Sequence, residues 1–334
     1  YTKNYTGRYD VDWFIDKLYE SEEDNPYIDA WWKWWPEVSK TLNILRITGG
    51  EPTIHGSTYR LLDEINKNPM PNLELNINSN LGANPKLFDR FIEKLKPIIE
   101  EKKVKEFKLF TSIDTWDKDK AEYIRNGLDI ELFKRNFDKY LTEIKDSKLS
   151  LMITFNNLCV TNFDSLLEQI LVWRKEYNDK TARERGNINQ PIPLQRIQMD
   201  TPYLKEPPHY DMNILPKDDF THHMDRHLEF MINSKDDDDN TKFKTLEVEK
   251  FRRVVDYFKS AEVDEDYLRK GRSDFYNFFD EHDRRRDTDF IKAFPEYEEF
   301  YNSCRQSTTK TQRAIRLEQR RAEMMRRKQN DKVD

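Results

Sequence analysis

Residues 43–54, with the sequence NILRITGGEPTI, contain the pattern that decides the fold: a short apolar segment followed directly by two glycines. The segment NILRIT predicts a β-strand, and the residues from Ser57 to Lys67 predict a helix after it. The chain has only eight glycines in 334 residues, and three of them lie within residues 49–56. Because glycine allows a positive φ and a close approach of the backbone to a ligand, we expect the functional site near this turn.

The alternation of strand and helix continues along the chain from this segment. The predicted strands are NILRIT (43–48), LELNIN (73–78), EFKLFTSI (106–113), LSLMITF (149–155) and QRIQM (195–199). A helix is predicted in each gap, and one of them has Asn84 as its N-cap and Pro85 in its first turn. This spacing is typical of βαβ units and predicts a parallel sheet, which is either an open doubly wound sheet or a complete or partial barrel.

Helical segments are predicted on both sides of this α/β region. The earlier ones are 9–20 and 26–42, and the second contains Trp31, Trp32, Trp34 and Trp35 with a break at Pro36. Those after the proline-rich connection at 201–216 are 217–233, 245–262, 264–282 and 287–302. We therefore predict three regions: an α/β domain at 1–203, a helical region at 204–304 and a basic tail helix, frayed at its end, at 305–334.

Composition limits the class of protein. The mean hydropathy is −0.98, yet 7 Trp, 16 Tyr and 20 Phe argue against disorder. No apolar run approaches the roughly 18 residues of a membrane span, and the first residues do not resemble a signal peptide. Two cysteines, Cys159 and Cys304, suit a reducing compartment, so we expect a cytoplasmic protein without a membrane partner.

Charge is distributed unevenly along the chain. The net charge is −6, but residues 305–334 contain ten Lys and Arg against four Asp and Glu. The acidic main body does not suit a surface for duplex nucleic acid, which needs a basic face. The basic tail is either a frayed surface helix or a docking segment for an acidic peptide or RNA.

Polar residues follow each predicted strand at its carboxyl end. They form the segments Thr48–Pro52, Asn78–Asn80, Thr111–Asp114, Thr154–Asn157 and Gln198–Asp200. Any one of them is explained by helix capping, but five on one edge of a sheet predict a polar binding site. In the first segment the paired glycines expose backbone groups, and the carboxylate of Glu51 suits a cationic amine.

These motifs resemble those of the radical S-adenosylmethionine (radical SAM) enzymes, in the branch that carries SPASM or twitch extensions. ILRITGGEPTIH is similar to the second strand and GGE motif of that family. FTSID and the later EYIRNGLD are similar to its fourth strand and Arg-x-Gly motif, and NINSN to its third strand. The resemblance covers residues 41–203, and it extends loosely to residues 275–300.

The resemblance implies a fold, a cofactor and a set of contacts. The fold would be a partial (βα)6 TIM-like barrel without its first strand, followed by a helical region. The GGE turn would contact the amino group of S-adenosylmethionine, Ser112 and Asp114 would lie near the ribose, and Arg125 would bind the methionine carboxylate. The complete set of implied cofactor-binding residues is Gly49, Gly50, Glu51, Pro52, Asn78, Ser112, Asp114, Arg125 and Asn156.

The resemblance also implies an activity. A [4Fe–4S] cluster would cleave S-adenosylmethionine to a 5′-deoxyadenosyl radical, which abstracts a hydrogen from a substrate, and the branch suggests a peptide or protein. An external electron donor would reduce the cluster. The family holds this cluster with a CxxxCxxC motif upstream of GGE, and the chain has no such motif. We expect these cysteines upstream of residue 1, so that the chain alone is inactive.

Two other interpretations remain open. One is a non-catalytic homologue that has lost the cluster and keeps the pocket for S-adenosylmethionine or a nucleoside. The other is an unrelated α/β enzyme whose GGEP turn binds an anion. Finding CxxxCxxC in the coding sequence before residue 1 would favour the radical enzyme over both.

Further features have simpler explanations than a binding site. His223 and His227 share a helical face, but only Asp219 offers a third ligand, so we expect a solvated or capping helix instead of a metal site. The loop Asp236–Asp239 lacks the spacing of an EF-hand. Cys304 lies where relatives carry auxiliary-cluster cysteines, but one cysteine does not bind a cluster. The tryptophans at 31–35 are expected to pack on the sheet, with a partner surface as the alternative.

Overall fold

The structure, a computed structural model, describes residues 25–177 and 195–306. The chain divides into two compact units, Tyr1–Asn78 with Ala83–Lys108, and Ser79–Gly82 with Leu109–Asp334. The helix predicted at 9–20, and the predicted tail helix beyond residue 306, lie outside the described residues. The predicted boundaries after residues 203 and 304 stay predictions.

Five strands form one sheet in sequential order, β1-β2-β3-β4-β5. They are β1 (Ile44–Ile47), β2 (Met70–Asn78), β3 (Val104–Ser112), β4 (Lys148–Met152) and β5 (Ile197–Asp200). The pairs β1–β2 and β4–β5 are parallel, and helices lie between successive strands in the sequence. The predicted α/β class and all five predicted strands are therefore confirmed, although several of their ends differ.

Helices make up most of the rest of the described chain. They are α1 (Pro26–Val38), α2 (Gly56–Lys67), α3 (Pro85–Glu100), α4 (Lys118–Ile124), α5 (Ile130–Glu143), α6 (Phe163–Tyr177), α7 (Lys217–Asn233), α8 (Thr245–Ser260), α9 (Glu265–Arg286) and α10 (Phe290–Ala293). Residues 298–306 are also helical. The predicted cap of α3 is confirmed, because the Asn84 side chain accepts a hydrogen bond from Leu87 N. No helix in these two ranges is long and apolar enough to cross a membrane.

In the first unit, the register of β1 and β2 separates an apolar from a polar face of the strands. Leu45 lies opposite Leu75, which is fully buried. Arg46 lies opposite Asn76, and both side chains remain partly or fully exposed. Because side chains alternate between faces, the polar residues of these two strands share the face opposite the apolar core.

The same division occurs in the second unit between β4 and β5. Leu151 lies opposite Met199, and both are buried. Met152 lies opposite Asp200, whose carboxylate pairs with Lys250 at 2.9 Å, and this face is half-exposed. Parallel strands are usually apolar on both faces, so a polar face suits a ligand or a covering segment better than a closed core.

A buried ion pair joins two helices of the second unit. Arg174 of α6 donates to both carboxylate oxygens of Glu247 in α8, at 2.6 and 3.1 Å. Arg174 also donates to the carbonyl oxygens of Ile197 and Lys242, and Glu247 accepts from Met199 N. These hydrogen bonds compensate the cost of burying both charges and attach α8 to the edge strand β5.

Two local predictions are wrong. Helix α1 continues through Pro36 and ends at Val38, because a proline in the last turn disturbs only the turn that precedes it. The single helix predicted at 287–302 is interrupted instead. Asp287 has a left-handed backbone with φ +53°, and Phe294 precedes Pro295, a position that disfavours helix.

The tryptophans of α1 do not all pack into the core as predicted. Trp35 is buried, whereas 55% of Trp34 is exposed. Trp32 has the guanidinium of Arg60 from α2 4.0 Å above its ring. The group is therefore partly core and partly surface, because four aromatics in five residues cover more than one face of a helix.

Candidate functional site

The GGEP turn of the first unit has the backbone conformation that its glycines predict. Gly49 has φ +93° and Gly50 has φ +46°, which ordinary side chains rarely adopt. A Cβ atom at either position would have nothing within 4 Å. Glycine is therefore needed for the path of the backbone and not for close packing, and the turn has open space beside it.

Glu51 caps the short 3₁₀ helix that follows the glycines. Its Oε1 accepts hydrogen bonds from the backbone N–H of Thr53 at 3.1 Å and from the Thr53 hydroxyl at 2.5 Å. Pro52 begins the 3₁₀ helix and is buried. The carboxylate is thus fixed by the turn itself, so this residue has a structural role in addition to its predicted contact with an amine.

Tyr59 fixes the base of the same turn. Its hydroxyl lies 2.6 Å from the carbonyl oxygen of Thr53 and 3.0 Å from that of Leu87 in α3. The guanidinium of Arg90 lies 4.4 Å from the centre of its ring. Burial raises the pKa of Tyr59, so the hydroxyl remains a donor. The role of Tyr59 at the turn was not predicted, because the sequence around residue 59 indicates only an amphipathic helix.

Asn78 lies at the end of β2, as predicted, and contacts a residue that the sequence reasoning missed. Its Oδ1 accepts a hydrogen bond from Nε of Arg46 at 3.0 Å. Both residues lie on the polar face of the strands in the first unit. Arg46 could have been recognised as a candidate site residue, because it is the single charged residue in the otherwise apolar segment ILRI.

In the second unit, two predicted site residues form an ion pair. Oδ2 of Asp114 lies 2.7 Å from Nε of Arg125, and its Oδ1 accepts from Nη2 of Arg125 at 3.0 Å. Oδ1 also accepts from the backbone N–H of Thr154 at 2.9 Å. Burial raises the pKa of Asp114, and the charge and hydrogen bond of Arg125 oppose that rise.

The remaining predicted residues of the second unit lie at strand ends without a common contact. Ser112 is the last residue of β3 and is half-buried. Asn156 caps the 3₁₀ helix that begins at Asn157, because its Oδ1 accepts from Leu158 N at 2.9 Å. Its Nδ2 donates to the carbonyl oxygen of Thr154. Helix capping, the other explanation for polar residues at the strand ends, therefore accounts for the observed hydrogen bonds of Asn156.

The loop that follows β2 contains Ser79 and Asn80, which belong to the polar segments predicted at the strand ends, and has a backbone conformation that was not predicted. Leu81 is fully buried and has φ +55°, which is strained for a side chain that branches and packs. Ser79 accepts from Leu81 N, Asn80 accepts from Gly82 N, and Asn136 donates to the carbonyl oxygen of Leu81. These hydrogen bonds therefore stabilise the conformation of the loop. In the sequence, only the Leu-Gly pair of SNLG indicated an unusual backbone at this point.

The described residues do not provide a site for an iron–sulfur cluster. Over residues 25–177 and 195–306, no group of three His, Cys, Asp or Glu could hold a metal ion. Cys159 and Cys304 are buried, and burial raises the pKa of Cys159 well above its usual value and that of Cys304 to about 12. Buried thiols of this kind are poor ligands, since the thiolate binds the metal.

The histidines of α7 have local partners. His227 Nε2 donates to the carbonyl oxygen of Val160 at 2.8 Å, and burial lowers the pKa of His227. Burial also lowers the pKa of His223 to about 4, and its Nδ1 lies 3.4 Å from Arg226. Both rings are therefore neutral near pH 7.

The acidic loop at residues 236–239 surrounds an ammonium group of the chain. Lys244 Nζ donates to the carbonyl oxygens of Asp236, Asp237 and Asp239 at 3.3, 2.9 and 3.1 Å. Asp237 and Asp239 accept hydrogen bonds from Thr245 and Thr241, which lower the pKa of each carboxyl. The lysine thus balances part of the charge of this loop.

Comparison of the chain with protein-family models, with curated proteins and with solved structures found no match. The resemblance to radical SAM enzymes therefore depends on the quoted motifs alone.

Proposed function

We propose that this chain binds S-adenosylmethionine and forms the cofactor-binding part of a radical SAM enzyme. The observation that carries the proposal is the turn at Gly49 and Gly50. It combines positive φ, open space beside both Cα atoms and a carboxylate fixed one residue later. Such a turn presents backbone oxygens and Glu51 to a protonated amine, the group at one end of the methionine moiety.

Arg125 of the second unit supports the same assignment independently. Asp114 contacts its Nε and Nη2 atoms, so that Nη1 remains available as a donor. An arginine held in this way is suited to a carboxylate, the other charged group of the methionine moiety. We propose in addition that Ser112 and Asp114 contact the ribose of S-adenosylmethionine. Asn78 and Asn156 are proposed as further residues of the same binding site.

The cluster does not fit the residues of this chain. The sequence contains two cysteines, which are both buried, and the family uses three in one loop. A cluster held by cysteines outside this chain would, together with S-adenosylmethionine, supply the radical chemistry. We propose a peptide or protein substrate and an external electron donor. The residues of this chain would bind and orient the cofactor, and they would not provide the iron.

The partial (βα)6 barrel is part of the same proposal. The sequential strand order and the helices between strands are compatible with it, as they are with an open sheet.

A second candidate is a non-catalytic protein that binds S-adenosylmethionine or a nucleoside. The observation behind it is that the chain contains no CxxxCxxC motif. The coding sequence that precedes residue 1 distinguishes the candidates. A CxxxCxxC motif within some tens of residues supports the radical enzyme, and an immediate stop codon supports the binding protein.

Both candidate functions include binding of S-adenosylmethionine, and titration calorimetry with this compound tests it. We expect wild-type chain to bind, Glu51→Ala to weaken binding about tenfold or more, and the exposed control Glu37→Ala to have no effect. Thr53→Val removes a hydrogen bond to Glu51 but keeps the carboxylate, and it should therefore weaken binding less. Undetectable binding by wild type, or equal affinities of wild type and Glu51→Ala, would overturn the proposal.

A further inference from the structure

A cluster of tyrosines surrounds a buried carboxylate in the second unit. We call Tyr203, Tyr257, Tyr267 and Asp211 the tyrosine site. Only 1% of Asp211 is exposed. Its Oδ2 accepts hydrogen bonds from the hydroxyls of Tyr257 at 2.9 Å and Tyr267 at 2.8 Å. The three aromatic rings are half-exposed, so the site combines a buried charge with accessible ring faces.

The charge of Asp211 has no cationic partner among the described residues, where no Lys or Arg lies within ion-pair distance of it. Its Oδ1 accepts only from the backbone N–H and the amide of Asn213, at 3.0 and 3.2 Å. Four neutral donors therefore stabilise a full negative charge. In addition, Oδ1 of Asn213 is buried and has no hydrogen-bond partner within the described chain. The site thus has an excess of negative charge and one unused acceptor.

The aromatic rings extend this negative potential to the surface. The ring centres of Tyr203 and Tyr257 are 4.7 Å apart with an interplanar angle of 35°. The face of an aromatic ring is electron-rich. When the phenol hydroxyl donates a hydrogen bond to a carboxylate, the electron density of the ring increases further. Burial and the Asp211 charge raise the pKa of Tyr257 and Tyr267, which keeps both hydroxyls protonated.

The position of Lys205 shows which ligand chemistry suits the site. Its Nζ lies 4.4 Å from the ring centre of Tyr257 and 5.4 Å from that of Tyr203. Lys205 is exposed and carries a flexible side chain, so its ammonium group can leave the rings at little cost. An external ammonium group can then occupy the same position.

We propose that the tyrosine site binds the side chain of a lysine from a peptide partner, and that this lysine displaces Lys205. Charge complementarity supports a cation over a neutral or anionic group, because Asp211 and the ring faces are both negative. The partially exposed rings suit the alkyl part of a lysine, which packs on apolar surface while its ammonium group contacts the ring. The tyrosine site shares no residue with the GGEP turn or with the Asp114–Arg125 pair.

Two blocked tripeptides test the proposal: Ac-Ala-Lys-Ala-NH₂ and its neutral counterpart with norleucine in place of lysine. Binding is followed by the shifts of tyrosine ring signals in ¹³C-tyrosine-labelled full-length chain. We expect the lysine peptide to shift signals that the norleucine peptide leaves unchanged. Lys205→Met should bind the lysine peptide about two- to fivefold more tightly than wild type, since the internal competitor is gone.

Two further variants make the result specific. Lys175→Met removes another exposed lysine of the second unit and should leave the affinity unchanged. Tyr257→Phe keeps the ring but loses the hydrogen bond to Asp211, and it should weaken binding. Equal binding of the lysine and norleucine peptides would overturn the proposal, as would equal affinities of Lys205→Met and Lys175→Met.

Discussion

The carboxylate of Asp114 contacts the guanidinium of Arg125 at two points, with Oδ2 2.7 Å from Nε and Oδ1 3.0 Å from Nη2. Only 3% of the Asp114 side chain is exposed, compared with 29% of the Arg125 side chain. The pair therefore joins a buried anion to a partly accessible cation. These two contacts fix the plane of the guanidinium. Asp114 therefore affects a ligand of Arg125 only indirectly, by positioning the guanidinium.

Asp114→Asn should reduce the free energy of unfolding by about 1–3 kcal/mol, because Arg125 and Thr154 N–H lose a charged acceptor. Urea denaturation measures this effect, with the exposed Asp119→Asn as a control that should change stability by under about 0.5 kcal/mol. In a double-mutant cycle with Arg125→Met, we expect a coupling of about 1 kcal/mol or more. Additive effects of the two substitutions would contradict the pairing.

Gly49→Ala should destabilise the fold by about 1–2 kcal/mol, because alanine must adopt φ +93° at this position. Gly49→Asn should cost less, since asparagine tolerates positive φ better than alanine does. Space is not limiting, so the larger asparagine has no steric penalty. Thermal unfolding of both variants checks the order, and a more stable alanine variant would refute the conformational explanation.

Glu247→Leu should be among the most destabilising single changes in the second unit, at about 3–5 kcal/mol, since it leaves Arg174 buried without its counter-charge. Arg174→Met combined with Glu247→Leu should recover part of that loss, because both charges are then absent. The surface pair of Arg269 and Asp266 is the control, and Arg269→Met should cost about 0.5 kcal/mol or less. Urea unfolding of the three variants and the wild type compares them directly.

His209 should make the protein less stable as the pH falls from about 6.5 towards 4. Burial lowers its pKa to about 4, so between these values the unfolded chain binds a proton that the folded chain does not. His209 stacks on Phe278 with ring centres 4.7 Å apart, and His209→Phe keeps an aromatic ring there without the titration.

Between pH 7 and pH 5, wild type should lose about 2 kcal/mol more stability than His209→Phe. Urea unfolding at both pH values provides the comparison, and the buried His227 contributes equally to both proteins. A loss of the same size in wild type and variant would show that another group is responsible.

Local patterns predicted much of the fold. The alternation of apolar and polar residues located all five strands, and the cap at Asn84 located the start of α3. The same reasoning placed the glycine turn at the end of β1, where both glycines have positive φ. These features depend on residues a few positions apart, so their physical cause is visible in a short stretch of sequence.

Local patterns were insufficient where a neighbour distant in sequence decides the outcome. The side chain of Asp283 is one example: it accepts a hydrogen bond from the hydroxyl of Tyr123, 160 residues earlier in the chain, as well as from Phe290 N. At the strand ends, capping and ligand binding require the same residue types, and only the observed bonds of Glu51 and Asn156 show that both act as caps.

The sequence by itself determined the parallel order of strands and helices and the position of a glycine turn in a chain that otherwise avoids glycine. Only the tertiary structure decided which charges are paired: Asp114 with Arg125, and Arg174 with Glu247. It also decided that, within the described chain, Asp211 is held by Tyr257, Tyr267 and Asn213 instead of a cation. The reason is physical, since a side chain's periodicity follows from its own segment, whereas the energy of a buried charge depends on every segment packed around it.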